Sequence, residues 1–222
     1  MRHTQMLQRI TGPYNLNTYF LVCKHSRQTI IIDPGGTAEA LADFIRANDL
    51  MPNKILLTHG HADQFFSMDE FKKTAGIPYC LHKADDDFFK DPDVRARIKR
   101  SVGLPPPYPA DIRMNDGDII AFGRCELAVI HTPGHTPGSV CLLCEDHLFT
   151  GDAIFVGEAG RTDLPGGDLR CLIDSIRMKI LPLDKKTVIL PGHHHTGAPS
   201  WSTIEQEMKT NIYITDFILD EF

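Results

Sequence analysis

His59 and His61 stand two residues apart in Thr58-His59-Gly60-His61-Ala62-Asp63-Gln64, with a carboxylate two residues further on at Asp63. Imidazole nitrogen and carboxylate oxygen together suit a borderline cation such as zinc, at about 2.0–2.2 Å. A cation so held can lower the pKa of a bound water towards neutrality and polarise a carbonyl under attack. One His-X-His is a short motif that also occurs in ordinary polar turns. Here the pattern recurs. Three further clusters of the same kind follow: His131-Thr132-Pro133-Gly134-His135-Thr136-Pro137-Gly138-Ser139, Thr150-Gly151-Asp152, and Pro191-Gly192-His193-His194-His195. Four such clusters in one chain of 222 residues are hard to explain as packing.

Each cluster closes an apolar run that reads as a buried strand. The runs are Ile55-Leu56-Leu57, Leu127-Ala128-Val129-Ile130, His147-Leu148-Phe149 and Val188-Ile189-Leu190. Side chains on glycine- and proline-shaped turns at strand ends can be aimed at one point by a rigid scaffold. Earlier strands are expected over 6–10, 17–24 and 29–32, the last closed by Asp33-Pro34-Gly35-Gly36. Thr37 is placed to cap a helix with Ala40, Leu41, Phe44 and Ile45 on its apolar face. A further helix is expected after the first motif, through Phe65, Met68 and Phe71.

From 83 to 112 the character changes. Acidic residues, Phe88-Phe89, a short helix over 94–100 and the Pro105-Pro106-Pro107-Tyr108-Pro109 run read as a surface excursion suited to a lid. Phe88, Phe89 or Tyr108 would wall the pocket beneath it. Arg95, Arg97, Lys99 and Arg100 follow Asp91 and Asp93, an order that suits the dipole of one short helix and a solvated helix end. The second half predicts strands over 119–122, 126–130, 139–143, 147–149 and 187–190. It also predicts a helix over 169–180 and a helical tail over 201–219. Two β-rich halves with helices outside suggest two sheets packed face to face and covered by helices, in a single domain spanning 1–222.

A net charge of −6 leaves no basic field for nucleic acid or an anionic membrane. No apolar run approaches the ~18 residues of a membrane span, and no secretory pattern opens the chain, so cytoplasm is the expected compartment. The six cysteines then read as small buried apolar residues. Cys141 and Cys144 have CxxC spacing but fall in a strand, where positions three apart face opposite ways. The expected partner is a small-molecule substrate, with homo-oligomerisation left open.

Asp33-Pro34-Gly35, the Thr58–Asp63 motif, Thr132–Ser139, Thr150-Gly151-Asp152 and Pro191-Gly192-His193 together resemble the metallo-β-lactamase superfamily, in order along nearly the whole chain. The run Gly160-Arg161-Thr162-Asp163-Leu164-Pro165-Gly166-Gly167-Asp168 is similar to that of its small glyoxalase II-like hydrolases. The resemblance implies an α/β (α+β) fold, a four-layer αββα sandwich with a metal site at one edge of the two sheets. It implies one metal on His59, His61 and His135, with Asp152 bridging to a second metal that also takes Asp63 and His193. Where the family carries a histidine, this chain has Gln64. An amide oxygen is a poorer zinc donor than imidazole, so the second position should be weaker. Three imidazoles plus a water still make a complete catalytic zinc arrangement. His194 and His195 either offer an imidazole that compensates for Gln64 or, as the favoured reading, are exposed or supporting neighbours of His193; His131 and His147 read as structural or surface residues.

The implied activity is hydrolysis by a metal-activated water, oriented and deprotonated by Asp63 or Asp152, on a thioester such as a hydroxyacyl glutathione. Arg161 either meets an anionic substrate group or pairs with Asp163, the pair being slightly favoured. The expected cofactor is Zn2+, one ion or two. A second reading places one Fe2+ on His59, His135 and Asp152, a two-histidine, one-carboxylate set suited to oxygen chemistry, as in the superfamily's persulfide dioxygenases. A third, resting on Gln64 alone, is a member that binds ligand without turnover.

Overall fold

The computed structural model describes the chain except residues 1, 13, 62–75, 104, 195, 196, 198 and 220–222. The helix expected through Phe65, Met68 and Phe71 therefore lies outside the described residues, as do Asp63, Gln64 and His195.

One sheet contains β1 (Thr4–Thr11), β2 (Leu16–Cys23), β3 (Gln28–Ile32), β4 (Met51–Leu56), β5 (Tyr79–His82) and β6 (Ile112–Met114), side by side in chain order. The first three are antiparallel, whereas β3 to β6 are parallel. The other sheet contains β7 (Ile119–Phe122), β8 (Cys125–His131), β9 (Val140–Cys144), β10 (His147–Gly151), β11 (Val188–Pro191) and β12 (Ser202–Thr203), also adjacent in chain order. Only the β10–β11 pair in it is parallel.

Strand period explains the layers. In β2, Tyr19, Leu21 and Cys23 face the other sheet, whereas Phe20 and Val22 face outwards. In β9, Val140, Leu142 and Cys144 point inwards and Cys141 points out, so the two cysteines of the CxxC spacing occupy different cores. Five of the six cysteines are buried and all six are free. Helix α1 (Ala38–Ala47) covers the outer face of the first sheet, capped by Thr37 Oγ1 accepting from Ala40 N at 3.2 Å. α2 (Lys83–Phe88) and α3 (Pro92–Val102) pack on the same face through Phe89 and Ile98. α4 (Leu169–Ser175), α5 (Ile204–Thr210) and the residues following each cover the other sheet. The result is the αββα sandwich. Among the described residues no helix is long and apolar enough to cross a membrane.

Three segments differ from the sequence expectations. Residues 83–102 are a packed part of the helical layer, with Asp85, Asp86, Phe89 and Ile98 buried. The helix expected over 169–180 widens into a π-turn at Ile176–Ile180, closed by Leu181 N–H onto the Ile176 carbonyl at 3.0 Å. The tail opens as β12 and breaks again at Asn211. That residue is buried, and its amide donates to the Phe155 and Glu158 carbonyls and to Glu207 while its oxygen caps Tyr213 N–H. A side chain so committed to a distant loop starts a new helix instead of continuing the old one.

Candidate metal centre

The C-terminal ends of β3, β4, β8, β10 and β11 meet at one edge of the sandwich. The two sheets are stitched there by Val140 N–H donating to the Thr58 carbonyl at 2.8 Å. β10 carries a register break between Phe149 and Gly151, a bulge that re-aims the chain just before Asp152. Gly151 adopts φ +50 and lies so close to Thr58 that a Cβ would sit 2.4 Å from its hydroxyl oxygen.

His59, His61 and His135 come together at this edge, all buried. Their rings stand mutually edge-on, with centroids 4.6–4.9 Å apart and interplanar angles of 86–89°. One ring nitrogen from each lies within 4.8 Å of the others. His135 Nε2 is 3.3 Å from His59 Nε2 and 2.9 Å from His61 Nδ1. Tetrahedral bonds of about 2.0–2.1 Å place neighbouring donors about 3.3–3.4 Å apart. The first spacing matches that edge, and the second falls somewhat short of it. The donor set fits one metal ion.

Their partners fix which nitrogen is available. Asp33 accepts Thr58 N–H and Thr58 O–H, both at 2.8 Å. With its proton so placed, the Thr58 oxygen accepts from His59 Nδ1–H at 3.2 Å, which leaves Nε2 unprotonated towards the cluster. His135 Nδ1–H donates to the Arg161 carbonyl at 2.7 Å, with the same consequence. Burial, and then the nearby His135, His61 and His193 imidazoles, push the His59 pKa well below its ordinary value. A neutral ring is the form a metal requires.

Asp152 stands beside this trio. Its Oδ2 lies 3.5 Å from His135 Nε2 and 3.5 Å from His193 Nε2. Its Oδ1 is buried and has no hydrogen-bond partner among the described residues. His193 is turned towards it by Nδ1–H donating to the Tyr14 carbonyl at 2.9 Å. Asp152 thus lies between the trio and His193, where a carboxylate could bridge two ions. Asp63 and Gln64 fall outside the described residues.

Several groups beyond the sequence candidates hold the loops. Asp85 is fully buried and accepts Gly60 N–H at 2.9 Å, Gly138 N–H at 2.6 Å and Thr136 O–H at 2.8 Å. It joins the loop of His59 and His61 to the loop of His135. Burial raises its pKa, against the opposing pull of those donors. Nothing in Asp85-Asp86-Asp87 signals which acid reaches the two loops. Tyr14 and Arg161 act here through backbone carbonyls, which leave no trace in residue type.

Next to the trio is a cavity of about 660 Å³, walled by Tyr14, Phe155, Leu164, His193 and His194. The aromatic wall is therefore Tyr14 and Phe155. Phe89 instead packs in the core, where a Cβ on Gly60 would meet it at 2.1 Å. Phe88 packs close to Gly166, and Tyr108 lies under the Arg95 guanidinium. His194 is half-buried on the cavity wall, its backbone N–H on the Asn15 carbonyl. Arg161 reaches the same cavity, and its guanidinium grips Asp163 through two bonds of 2.7 Å, as the favoured reading expected. His131 stacks on His82 with centroids 4.0 Å apart, and His147 pairs with Asp146, both away from the trio.

The family model for the metallo-beta-lactamase superfamily matches residues 11–193. Hydroxyacylglutathione hydrolase GloC of Haemophilus influenzae is 35% identical over 201 residues, covering 87% of this chain and 91% of that one. Human mitochondrial persulfide dioxygenase ETHE1 is 33% identical over 201 residues, covering 89% of this chain and 71% of that one. The crystal structure of BLEG-1 B3 metallo-beta-lactamase superposes with a TM-score of 0.84 at 38% identity, covering 95% of this chain and 100% of that one. The matched span runs from before Asp33 to His193 and so includes His59, His61, His135, Asp152 and His193, and the chain belongs to the metallo-beta-lactamase superfamily.

Proposed function

We propose that the protein is a metal-dependent hydrolase acting on a small thioester such as a hydroxyacyl glutathione. The observation that carries this reading is the convergence of three edge-on imidazoles, two of them held by a hydroxyl or a carbonyl in the metal-ready tautomer, beside a carboxylate and a cavity. The similarity to GloC supports the substrate class. A zinc ion held by His59, His61 and His135 would supply Lewis acidity, making water more acidic and the thioester carbonyl more electrophilic. Asp152, or Asp63, accepts the proton that water loses as its oxygen bonds to the carbonyl carbon. The carbon–sulfur bond then breaks, and the thiol leaves with a proton returned by the same carboxyl group. Arg161 and His135 are coupled through the Arg161 carbonyl, so the loop carrying the cavity's cation also orients an imidazole. Asp152, Asp63 and His193 would hold a second ion, and Gln64, an amide in place of an imidazole, would weaken that position. A cavity of about 660 Å³ is of a size to take the thiol-carrier arm of such a substrate.

A second reading is favoured by one observation, the similarity to ETHE1. In this reading His59, His135 and Asp152 would supply a two-histidine, one-carboxylate set that suits ferrous iron. The two readings separate when the protein is loaded with zinc and, in parallel, with ferrous iron. Thiol release from S-lactoylglutathione by zinc-loaded protein, lost in His135→Ala, supports hydrolysis. Oxygen uptake with glutathione persulfide by iron-loaded protein, without thioester cleavage, supports dioxygenation. Failure of both, on protein that retains metal, leaves the ligand-binding member whose sequence support is Gln64.

A further inference from the structure

The basic end of α3 is exposed, as a solvated helix end would be, and it also lines a cleft. Arg97, Arg100 and Ser101 fall at i, i+3 and i+4, so they share one face, while Ile98 is buried in the core. That face lines a cleft of about 510 Å³ whose opposite wall is Asp163-Leu164-Pro165-Gly166. The cleft shares Ser101 and Leu164 with the cavity beside the imidazole trio, so the two spaces adjoin. The four basic residues of this helix have separate fates. Arg95 is spent on the Phe89 and Lys90 carbonyls and over the Tyr108 ring. Lys99 does not line the cleft. Arg97 and Arg100 do, both are exposed, and neither has an ion-pair partner among the described residues.

Asp163 is the single acid on this cleft among the described residues. Both of its oxygens are taken by Arg161, whose guanidinium also holds the Asp163 carboxyl down at about 2. That ion pair is neutral as a unit. Among the described residues, two guanidinium charges are left without an ion-pair partner on one wall. Two planar forks at helical i, i+3 spacing are suited to an oxyanion group, which each can meet with paired N–H donors.

We propose that Arg97 and Arg100 form a specificity subsite for an anionic tail, a carboxylate or a phosphate, on the thiol-carrier end of the substrate. The subsite rests on the hydrolase reading for its place in turnover, but its anion binding stands apart from any chemistry. The carrier arm runs from the cavity past Ser101 and Leu164, and its tail reaches the two arginines.

The test is calorimetric binding on full-length, metal-loaded protein with three non-hydrolysable probes. S-methylglutathione carries carboxylates, its diethyl ester has them masked, and the S-methyl thioether of coenzyme A carries phosphates. Wild-type protein should bind at least one anionic probe, and which one tells a peptide-like carrier from a nucleotide-linked one. Arg97→Ala/Arg100→Ala should weaken that probe on the order of tenfold or more. The masked ester should bind wild type and the double variant alike. Lys99→Ala should bind like wild type. Asp163→Asn, which removes the acid and releases Arg161, should bind the anionic probe more tightly, a gain that misfolding does not produce. The proposal is overturned if wild type binds neither anionic probe, or if the double variant binds them as wild type does. Anion binding by a protein that cleaves no thioester would sink the hydrolase reading and leave the subsite standing.

Discussion

Asp85 accepts the backbone N–H of Gly60, the residue between His59 and His61, at 2.9 Å. Its other oxygen accepts Gly138 N–H at 2.6 Å, in the loop that carries His135. One buried carboxylate therefore sets the spacing between two loops that are far apart in sequence. Asp85→Asn keeps the shape but turns an amide N–H2 towards a backbone N–H. An unmet donor in such a place costs about 1–3 kcal/mol. We expect lower stability by denaturant titration and weaker retention of zinc against a chelator. A cobalt-substituted Asp85→Asn protein should also show an altered d–d absorption spectrum, which a loss of stability alone would leave unchanged. Wild-type retention and an unaltered spectrum would show that Asp85 does not position the trio.

Gly160 presses its backbone on Asp152. A Cβ there would sit 1.8 Å from the Asp152 carbonyl oxygen and 3.3 Å from His135 Nδ1. Backbone facing backbone leaves no flexible atom to yield. Gly160→Ala should lose about 1–3 kcal/mol of stability and displace Asp152 from between His135 and His193. Its metal content, measured after gel filtration, should fall below that of wild type. Unchanged stability and content would mean that the loop accommodates the methyl group.

The stacked His82–His131 pair predicts how stability depends on pH. Burial first, and then His131 and Lys83, push His82 from 6.5 down to about 4. The unfolded chain takes up this proton near 6.5 and the folded chain only near 4. Between those values protonation favours the unfolded state, so stability falls as pH drops from 6.5 towards 4. His82 also caps α2, its Nδ1 accepting from Ala84 N at 3.3 Å, and asparagine preserves a cap. His82→Asn should therefore melt with a shallower pH dependence across that window. The slope should not vanish, because buried His59 is shifted the same way. Parallel melting curves for the two proteins would contradict this account.

Much of this architecture was legible in the residues alone. Ile55-Leu56-Leu57 and Val188-Ile189-Leu190 announce buried strands by apolar runs, and the glycine-rich clusters after them announce the edge where side chains converge. Thr37 announces its helix by residue type. The residues that hold the site were not legible in the same way. Asp85 looks like its neighbours Asp86 and Asp87, and only the packing of α2 brings it to the two loops. The Arg161 and Tyr14 carbonyls act through the backbone, which every residue carries. The role of Arg97 and Arg100 depends on a cleft wall more than 60 positions away in sequence, at Asp163–Gly166, and helix charge order says nothing about that. β12 escaped because two residues are too short to show a period.

Gln64 bears on the number of ions. An amide oxygen is a poor substitute for imidazole at a zinc site, so wild-type protein should hold one ion tightly and a second weakly. Gln64→His should raise the zinc content after dialysis from near one towards two per chain. The same content in both proteins would show that position 64 does not govern the second site. A rise in thioester turnover with the second ion would mark Gln64 as an impairment, and a fall would mark it as tuned to its own substrate.

Whether the three imidazoles share an ion is read from the metal content of the purified protein, by elemental mass spectrometry, for wild type and His135→Ala. Wild type should hold at least one ion per chain tightly enough to resist dialysis, and His135→Ala should lose it while the fold persists by circular dichroism. A wild-type protein that holds no metal when zinc or ferrous iron is supplied would contradict a shared ion, and so would a His135→Ala variant that retains the ion undiminished.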